Sequence, residues 1–472
     1  MAEALWTWND LVAAAAGEAD GADPGAITNI SIDSRGIGPG ELFVALKDRR
    51  DGHDFVSNAF QAGASAALVN RDYVRQPGDG ALLRVEDTLA GLERIGMAAR
   101  ARLSSEARVI AVTGSVGKTT TKEMLRACLA RIGPTHAADK SFNNHWGVPL
   151  TLSRMPADTR YGVFEIGMNH SGEITPLTKM VRPNVAIITT VAPVHLEHFS
   201  GVEEIAAAKA EIFAGLEPGG TAVLNADNEH FDFLERQAKA VGATICSFGT
   251  GAGLSVALES LEETANGSQV TARIAASGDG KLVTYAISLP GRHIVMNSLA
   301  VVGALHAAGA DLETALVGLS EMSAPQGRGV RTEFTCPGGS FLLIDESYNA
   351  NPVSMRAAIE LLGSVPREVY PRRIAVIGDM LELGEMKERY HQELAGPVSQ
   401  AGVDLVFTAG PIAKALYDAL PEDKRGGAAE TAGGLEAALL NEIKAGDAIM
   451  VKGSNGARTF ELVAAIKRHF GD

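Results

Sequence analysis

The sequence predicts an α/β protein of three domains, with a mainly parallel sheet around a phosphate-binding loop at its centre. Three observations carry that expectation. Short apolar runs alternate with helical patterns in two long series, the pattern of strands covered by helices on both faces of a parallel sheet. The run VIAVTGSVGKTTTKE, residues 109–123, passes from a β-branched strand through a glycine-rich turn into a helix opened by Lys-Thr-Thr. At 472 residues the chain is too long for a single hydrophobic core, and its length suggests about three domains.

Residues 1–105 read as a small α/β unit. A helix spans 5–16, a buried strand 42–46, and a second strand 66–69 follows an alanine-rich helix. The Gly/Pro turn 36–40 marks a loop beside Ser34 and Arg35. Across 106–324 the strand-like runs are 109–113, 161–166, 185–191 and 221–225. Ligands of parallel sheets sit at the C-terminal strand ends. Each of these runs is followed there by polar candidates, namely Lys118 and Thr119, Glu165, His195, and Asn225 with Asp227. A linker-like SAPQGRG at 323–329 leads into 325–472, where runs 341–344, 374–377, 405–407 and 448–451 predict a Rossmann-like unit. Its strand-end loops are DESYNANP, GDMLELG, TAG and KGSNG.

Composition narrows the function. A hydrophobic content of 46% with 21% charged residues is that of an ordinary folded protein. The net charge of −15 opposes general nucleic-acid binding, which needs clustered Lys and Arg, yet leaves room for a local basic pocket. Cys128, Cys246 and Cys336 have neither metal-ligand nor disulfide spacing, so they read as packing residues in a reducing compartment. The acidic opening MAEALWTWND does not match a signal peptide, and no run approaches the roughly 20 apolar residues of a membrane span. The expectation is a cytoplasmic protein without membrane insertion.

The central motif explains itself chemically. A turn of Gly114, Ser115, Val116 and Gly117 can aim several backbone N–H groups at one anion, and the helix beginning near Lys118 adds its positive end. Lys118 supplies a point charge to the β- and γ-phosphates, and the Thr119 hydroxyl can bind the accompanying Mg²⁺. Thr113, Gly114, Ser115, Val116, Gly117, Lys118, Thr119 and Thr120 thus form the expected ATP cradle. Val112 stands where the full pattern has its first glycine, so the loop is a shortened variant.

Around this loop the residues alone leave alternatives. Glu165 suits a hard-oxygen Mg²⁺ ligand or a solvated loop acid. His195 ends a strand beside the triphosphate, while Lys209 on an alanine-rich helix, with Glu211 nearby, reads from the residues alone as a surface lysine. Asn143 and Asn144 fit either substrate reading or turn formation. His293 and Asn297 share one helical face, and Arg328 at the domain junction can bring charge to a γ-phosphate.

Taken together, TGSVGKTT, FNNHWGVPLTL, EIGMNHSGEI, HLEHF, AKAEIF, GRHIVMNSLA, the Gly-Arg at 327–328 and KGS resemble the Mur ligase family of ATP-dependent amide-bond ligases along essentially the whole chain. DESYNANPVSM and IGDMLELG resemble the branch that adds a terminal dipeptide, and IDSRGIGPGELFVALKDRRDGHDF resembles the family's UDP-sugar-binding domain. The resemblance implies ATP, two Mg²⁺ ions, a UDP-N-acetylmuramoyl-tripeptide and D-alanyl-D-alanine as small-molecule partners of a monomer. It implies that Lys209 is carbamylated and holds the second Mg²⁺ with His195, while Thr119 and Glu165 bind the first. Lys118, Lys209, His195 and Arg328 become the catalytic set, and Asn297, Arg328 and either Asp345 or Glu346 contact the nucleotide. The branch usually has two aspartates where this chain has Asp345-Glu346, so the choice between them stays open. Ser34, Arg35 and Lys47 match the uridine-gripping region, and Asn349 and Asn351 match the branch signature. A Tyr-Ala-His-type sequence and the Asp-Asn-Pro-Arg signature, which mark relatives attaching the third peptide residue, are absent, as is the guanine-reading Asn-Lys-x-Asp of nucleotide switches. The chemistry implied is phosphorylation of a peptide carboxylate followed by attack of an amine, within domains that close against water.

Overall fold

The computed structural model describes residues 4–264, 267–275 and 280–471. Its first sheet holds β1 (Glu18–Asp20), β2 (Asn29–Ser31), β3 (Glu41–Val44), β4 (Ala66–Asn70) and β5 (Ala81–Val85) in the order β1-β5-β4-β3-β2, parallel except where β1 meets β5. β3 and β4 are the two expected strands. β1 and β2, of three residues each, are too short to register as apolar runs. The first helix is shorter than expected, Trp8–Ala15: Thr7 caps its start by accepting the Asp10 N–H at 3.2 Å, and Ala16 ends it at φ +51°.

This unit shares a core with the next. The helix Thr88–Ala101 lies against the helix Gly147–Ser153, so Leu92 and Ile95 pack in one cluster with Val148 and Leu152. Polar ties reinforce the seam: the Trp6 indole donates to the Ser153 carbonyl at 2.9 Å, and Arg154 donates to the Ile30 carbonyl at 2.5 Å. The Arg102 guanidinium stacks 3.7 Å from the Trp6 ring centre.

The central sheet comprises β6 (Arg108–Thr113), β7 (Thr135–Ala137), β8 (Tyr161–Glu165), β9 (Val185–Ile188), β10 (Thr221–Asn225), β11 (Thr244–Gly249), β12 (Val256–Thr264), β13 (Gly267–Ile274) and β14 (Lys281–Ile287). In the order β14-β13-β12-β11-β10-β9-β6-β8-β7 it is parallel from β7 to β12. β6 occupies the interior, and Val109, Ile110, Ala111 and Val112 are wholly buried between helices on the two faces. β9 stops three residues before its expected end, because Thr189 turns onto the glycine loop, donating from Oγ1 to the Val116 carbonyl at 2.5 Å. The antiparallel extension β12–β13–β14 lies outside the expected strands. In β14 the signal is alternation, with Val283, Tyr285 and Ile287 buried and their neighbours exposed, which a search for continuous apolar runs passes over.

The last sheet holds β15 (Val330–Cys336), β16 (Gly339–Glu346), β17 (Arg372–Gly378), β18 (Leu405–Ala409), β19 (Arg425–Ala429) and β20 (Asp447–Lys452), ordered β15-β16-β20-β17-β18-β19. It is parallel except at the β15–β16 hairpin. The hairpin arm β15 and the Gly-rich edge β19 are further additions to the expected strands. The three cysteines are free and buried, and burial pushes the Cys128 thiol up to about 12 and the Cys246 thiol to about 11, values of inert packing groups. Among the described residues no helix is long and apolar enough to cross a membrane.

Phe341 of β16 is fully buried between Phe334, with ring centres 5.6 Å apart, and the edge-on Phe470 at 4.9 Å. Phe341→Ala is expected to destabilise the C-terminal domain by about 3–5 kcal/mol, read from its urea unfolding transition.

Candidate active site

The glycine loop follows β6 directly. Gly114 has φ +147° and Gly117 φ +90°. A Cβ on Gly114 would lie 1.9 Å from Thr189 Oγ1, and one on Gly117 would lie 2.7 Å from Asn297 Oδ1. Glycine is therefore required at both by backbone angle and by space. Ser115 pins the turn to the neighbouring strand end: its N–H donates to the Thr190 carbonyl at 2.8 Å and its hydroxyl to the Ala192 carbonyl at 3.0 Å. The helix Lys118–Leu129 begins immediately after Gly117 without a side-chain cap, so its first N–H groups face the turn. Lys118 Nζ folds back onto the Gly114 carbonyl at 2.6 Å. Thr113 Oγ1 is buried at the foot of the loop with no partner among the described residues.

The loop opens into a cavity of about 460 Å³ between the strand ends of the central and C-terminal sheets. Val116, Thr119 and Thr120 line it, as do Glu165, Asn143 and His195. Thr119 Oγ1 donates to Glu165 Oε2 at 2.8 Å and Asn143 Nδ2 to Glu165 Oε1 at 2.7 Å, so both carboxylate oxygens are held. The structure separates the two asparagines. Asn144 is exposed, lies outside the cavity, and accepts the Gly147 N–H at 2.9 Å to start a helix.

Lys209 is not a surface lysine: only 2% of it is exposed. It does not line the cavity, and no carboxylate pairs with it among the described residues. Burial first, and then the neighbouring charge of Lys118, push its amine well below the usual lysine range. Burial also lowers Lys118, against the opposing pull of Glu165 and with the help of Arg328.

The opposite wall comes from the junction and the C-terminal domain. Arg328 sits between two cavities, its guanidinium 4.1 Å from the Tyr348 ring centre. Glu346 faces the glycine loop across the first cavity, whereas Asp345 is buried against Ser347 and lines a second space of about 620 Å³. Glu346 thus shares a cavity with Gly117 and Lys118, while the space that Asp345 lines reaches Thr119 and Arg328. Asn297, Asn349 and Asn351 line the same cavity, and Asn351 also caps the helix Pro352–Gly363 by accepting the Ser354 N–H at 2.9 Å.

Lys452, the last residue of β20, enters the sequence analysis only through its KGS motif. It is buried at the cavity wall, donating to the Asn349 carbonyl at 2.9 Å and to Glu346 Oε2 at 3.3 Å. Its signal is a lysine ending a strand otherwise written for burial, just before a glycine. Lys118, Arg328 and Lys452 outnumber Glu165 and Glu346 on the cavity walls, an electrostatic surplus suited to a polyphosphate.

Ser34, Arg35 and Lys47 lie elsewhere, in loops after β2 and β3 at the C-terminal edge of the first sheet. Arg35 is exposed and donates to Asp33 Oδ1 at 2.9 Å and Oδ2 at 2.7 Å, while Lys47 lies 3.6 Å from Asp51. For a divalent cation, the adjacent Thr119 and Glu165 oxygens are a hard donor pair that fits Mg²⁺. Among the described residues no three His, Cys, Asp or Glu side chains converge. That sparse donor set suits an ion that keeps waters and substrate phosphates in its shell.

Comparison with known proteins places three family models along the chain. They are the Mur ligase family catalytic domain at residues 26–132, the Mur ligase middle domain at 112–305, and the Mur ligase glutamate ligase domain at 330–455. The chain is 35% identical to a Bacillus subtilis UDP-N-acetylmuramoyl-tripeptide–D-alanyl-D-alanine ligase, over 93% of its own length and 92% of the relative's. It superposes on MurF from Acinetobacter baumannii with a TM-score of 0.83 at 30% identity, covering 98% of this chain and 99% of that one. It superposes on the MurF ligase from Thermotoga maritima in complex with ADP with a TM-score of 0.76 at 25% identity, covering 93% and 97%.

Gly117→Ala tests the cradle. The added Cβ meets Asn297 and opposes the left-handed backbone, so affinity for ADP in calorimetry is expected to fall about tenfold or more. The melting temperature should move by only a few degrees.

Proposed function

The chain belongs to the Mur ligase family, and we propose that it joins D-alanyl-D-alanine to UDP-N-acetylmuramoyl-tripeptide, cleaving ATP to ADP and phosphate, as a step of peptidoglycan precursor synthesis. The observation that carries this reading is a single cavity where Lys118, Thr119 and Glu165 of the central domain face Arg328, Glu346, Asn349 and Asn351. The near full-length likeness to a relative named for this reaction supports it. On this reading residues 1–105 hold the UDP-sugar through Ser34, Arg35 and Lys47, residues 106–324 hold ATP, and residues 325–472 receive the dipeptide. The enzyme works as a cytoplasmic monomer.

A free carboxylate is a poor acylating agent because its oxygen leaves badly. In the first step a carboxylate oxygen of the tripeptide attacks the γ-phosphorus, the bond from that phosphorus to the bridging oxygen breaks, and ADP departs. The backbone N–H groups after Gly114, together with Lys118 and Arg328, face the charge that spreads over the γ-oxygens. The amine of D-alanyl-D-alanine then attacks the acyl carbon, the C–O bond to phosphate breaks, and the amide forms as the nitrogen gives up a proton to the departing phosphate or to solvent. Thr119 and Glu165 would hold one Mg²⁺, and His195 with Lys209 a second, and the bound ions supply positive charge to the phosphate oxygens.

As an ammonium Lys209 would repel such an ion, and Mg²⁺ prefers oxygen donors to an amine nitrogen. Burial of Lys209 and the repulsion from Lys118 favour the unprotonated amine. That amine adds to CO₂: an N–C bond forms, a proton leaves to solvent, and a carbamate replaces what would be a buried cation. The carbamate's negative charge then lies near the Lys118 ammonium, where a protonated Lys209 would be repelled.

In a coupled assay, ADP release is expected to require both UDP-N-acetylmuramoyl-tripeptide and D-alanyl-D-alanine and to match amide formation one for one. Equal ATP turnover with neither present would sink the ligase reading. Lys209→Ala is expected to lose about 100-fold or more in turnover while keeping its circular dichroism, with partial rescue by a small carboxylic acid. Undiminished activity would remove Lys209 from the mechanism.

A further inference from the structure

The loop DMLELG at 379–384 leaves the C-terminal end of β17 and takes no part in the phosphate cradle. It crosses to the central domain and lies on the HLEHF segment that follows β9. Glu382 Oε2 is hydrogen-bonded to His195 Nδ1. The Glu197 N–H donates to the Glu382 carbonyl at 3.4 Å, and a Cβ on Gly384 would lie 3.5 Å from the Leu196 carbonyl oxygen. Side chain, backbone and glycine therefore all meet the same short segment.

Both ends of the contact have an uncommon backbone. His195 has φ +54° and Glu382 φ +63°, the left-handed region that non-glycine residues seldom adopt. Such conformations persist where the surroundings hold them, and here each aims its side chain at the other.

The chemistry of this pair is directional. A carboxylate at Nδ1 keeps the imidazole proton on that nitrogen, which leaves the Nε2 lone pair as the available donor and fixes the ring's orientation. His195 lines the cavity shared with Glu165 and the glycine loop.

We propose that Glu382 is a positioning residue for the metal-binding histidine, supplied by the C-terminal domain, so that His195 is set to ligate only when that domain is docked on the central one. The proposal rests on the reading of His195 as a metal ligand. GDMLELG would then couple docking of the dipeptide-receiving domain to assembly of the phosphate-activating site.

The test uses the full-length enzyme with ADP and Mn²⁺, bound ion being read by electron paramagnetic resonance. Glu382→Ala is expected to weaken Mn²⁺ binding about 10–100-fold. Glu382→Gln, whose amide oxygen still accepts from Nδ1–H, should lose no more than a few-fold. The His195→Ala, Glu382→Ala double variant should bind no worse than His195→Ala alone, since one residue acts through the other. Metal-free melting temperatures should match that of the parent enzyme. Unchanged Mn²⁺ affinity in Glu382→Ala, equal losses in the Ala and Gln variants, or additive losses in the double variant would overturn the proposal while leaving His195 a ligand. Parent-like Mn²⁺ binding in His195→Ala would overturn the ligand reading itself, and this proposal with it.

Discussion

Between Thr113 and Lys118 the chain passes from a strand buried on both faces to a helix in four residues, and two of those four tolerate no side chain. Gly114 is closed in by Thr189 and Gly117 by Asn297, so the loop's shape is set by the ends of β9 and by the helix Arg292–Ala307 as much as by its own sequence. Much else follows from that close approach. β9 ends at Ile188 because Thr189 is committed to the loop, Ser115 ties the next strand-end segment to it, and Thr119 emerges beside Glu165 at the end of the adjoining β8. A wider loop would separate the hydroxyl from the carboxylate and dissolve the donor pair.

Charge is the second organising quantity. Lysines are costly to bury, yet Lys118, Lys209 and Lys452 all lie in or beside one crevice. Lys452 is compensated by Glu346 and the Asn349 carbonyl, and Lys118 by the Gly114 carbonyl. Lys209 has no such anion among the described residues. A cavity with this surplus of cations is suited to a polyanion. The same crevice is bounded by two domains, which lets the reagents arrive from separate sheets and meet where water can be excluded.

How much of this was legible in the sequence depends on how local each signal is. Val109–Val112, the glycine turn and Lys-Thr-Thr announce a strand, an anion-binding loop and a helix, because each depends on near neighbours in the chain. Among the strands that went unread, β1, β2 and β7 are three residues long, β5 is interrupted by Arg84, β14 alternates, β19 is Gly-rich and β15 is a hairpin arm. Asn143 and Asn144 illustrate the same limit at the site. Identical neighbours in sequence point one into the cavity at Glu165 and the other to the Gly147 N–H, a choice made by the helix start that follows them.

The sequence by itself determined that a triphosphate cradle exists, that it lies in a parallel α/β sheet, and, through the resemblance its motifs carry, which family of ligases it serves. These depend on backbone geometry and residue chemistry over a dozen positions or fewer. Only the tertiary structure decided which cavity each carboxylate of Asp345-Glu346 lines, that Lys209 is buried rather than exposed, and that Lys452 and Glu382 reach the site at all. Each of those outcomes depends on contacts between segments roughly a hundred or more residues apart or on the packing of whole domains. The free energies of burial and charge pairing that select them are properties of the assembled surface, which no local stretch of sequence contains.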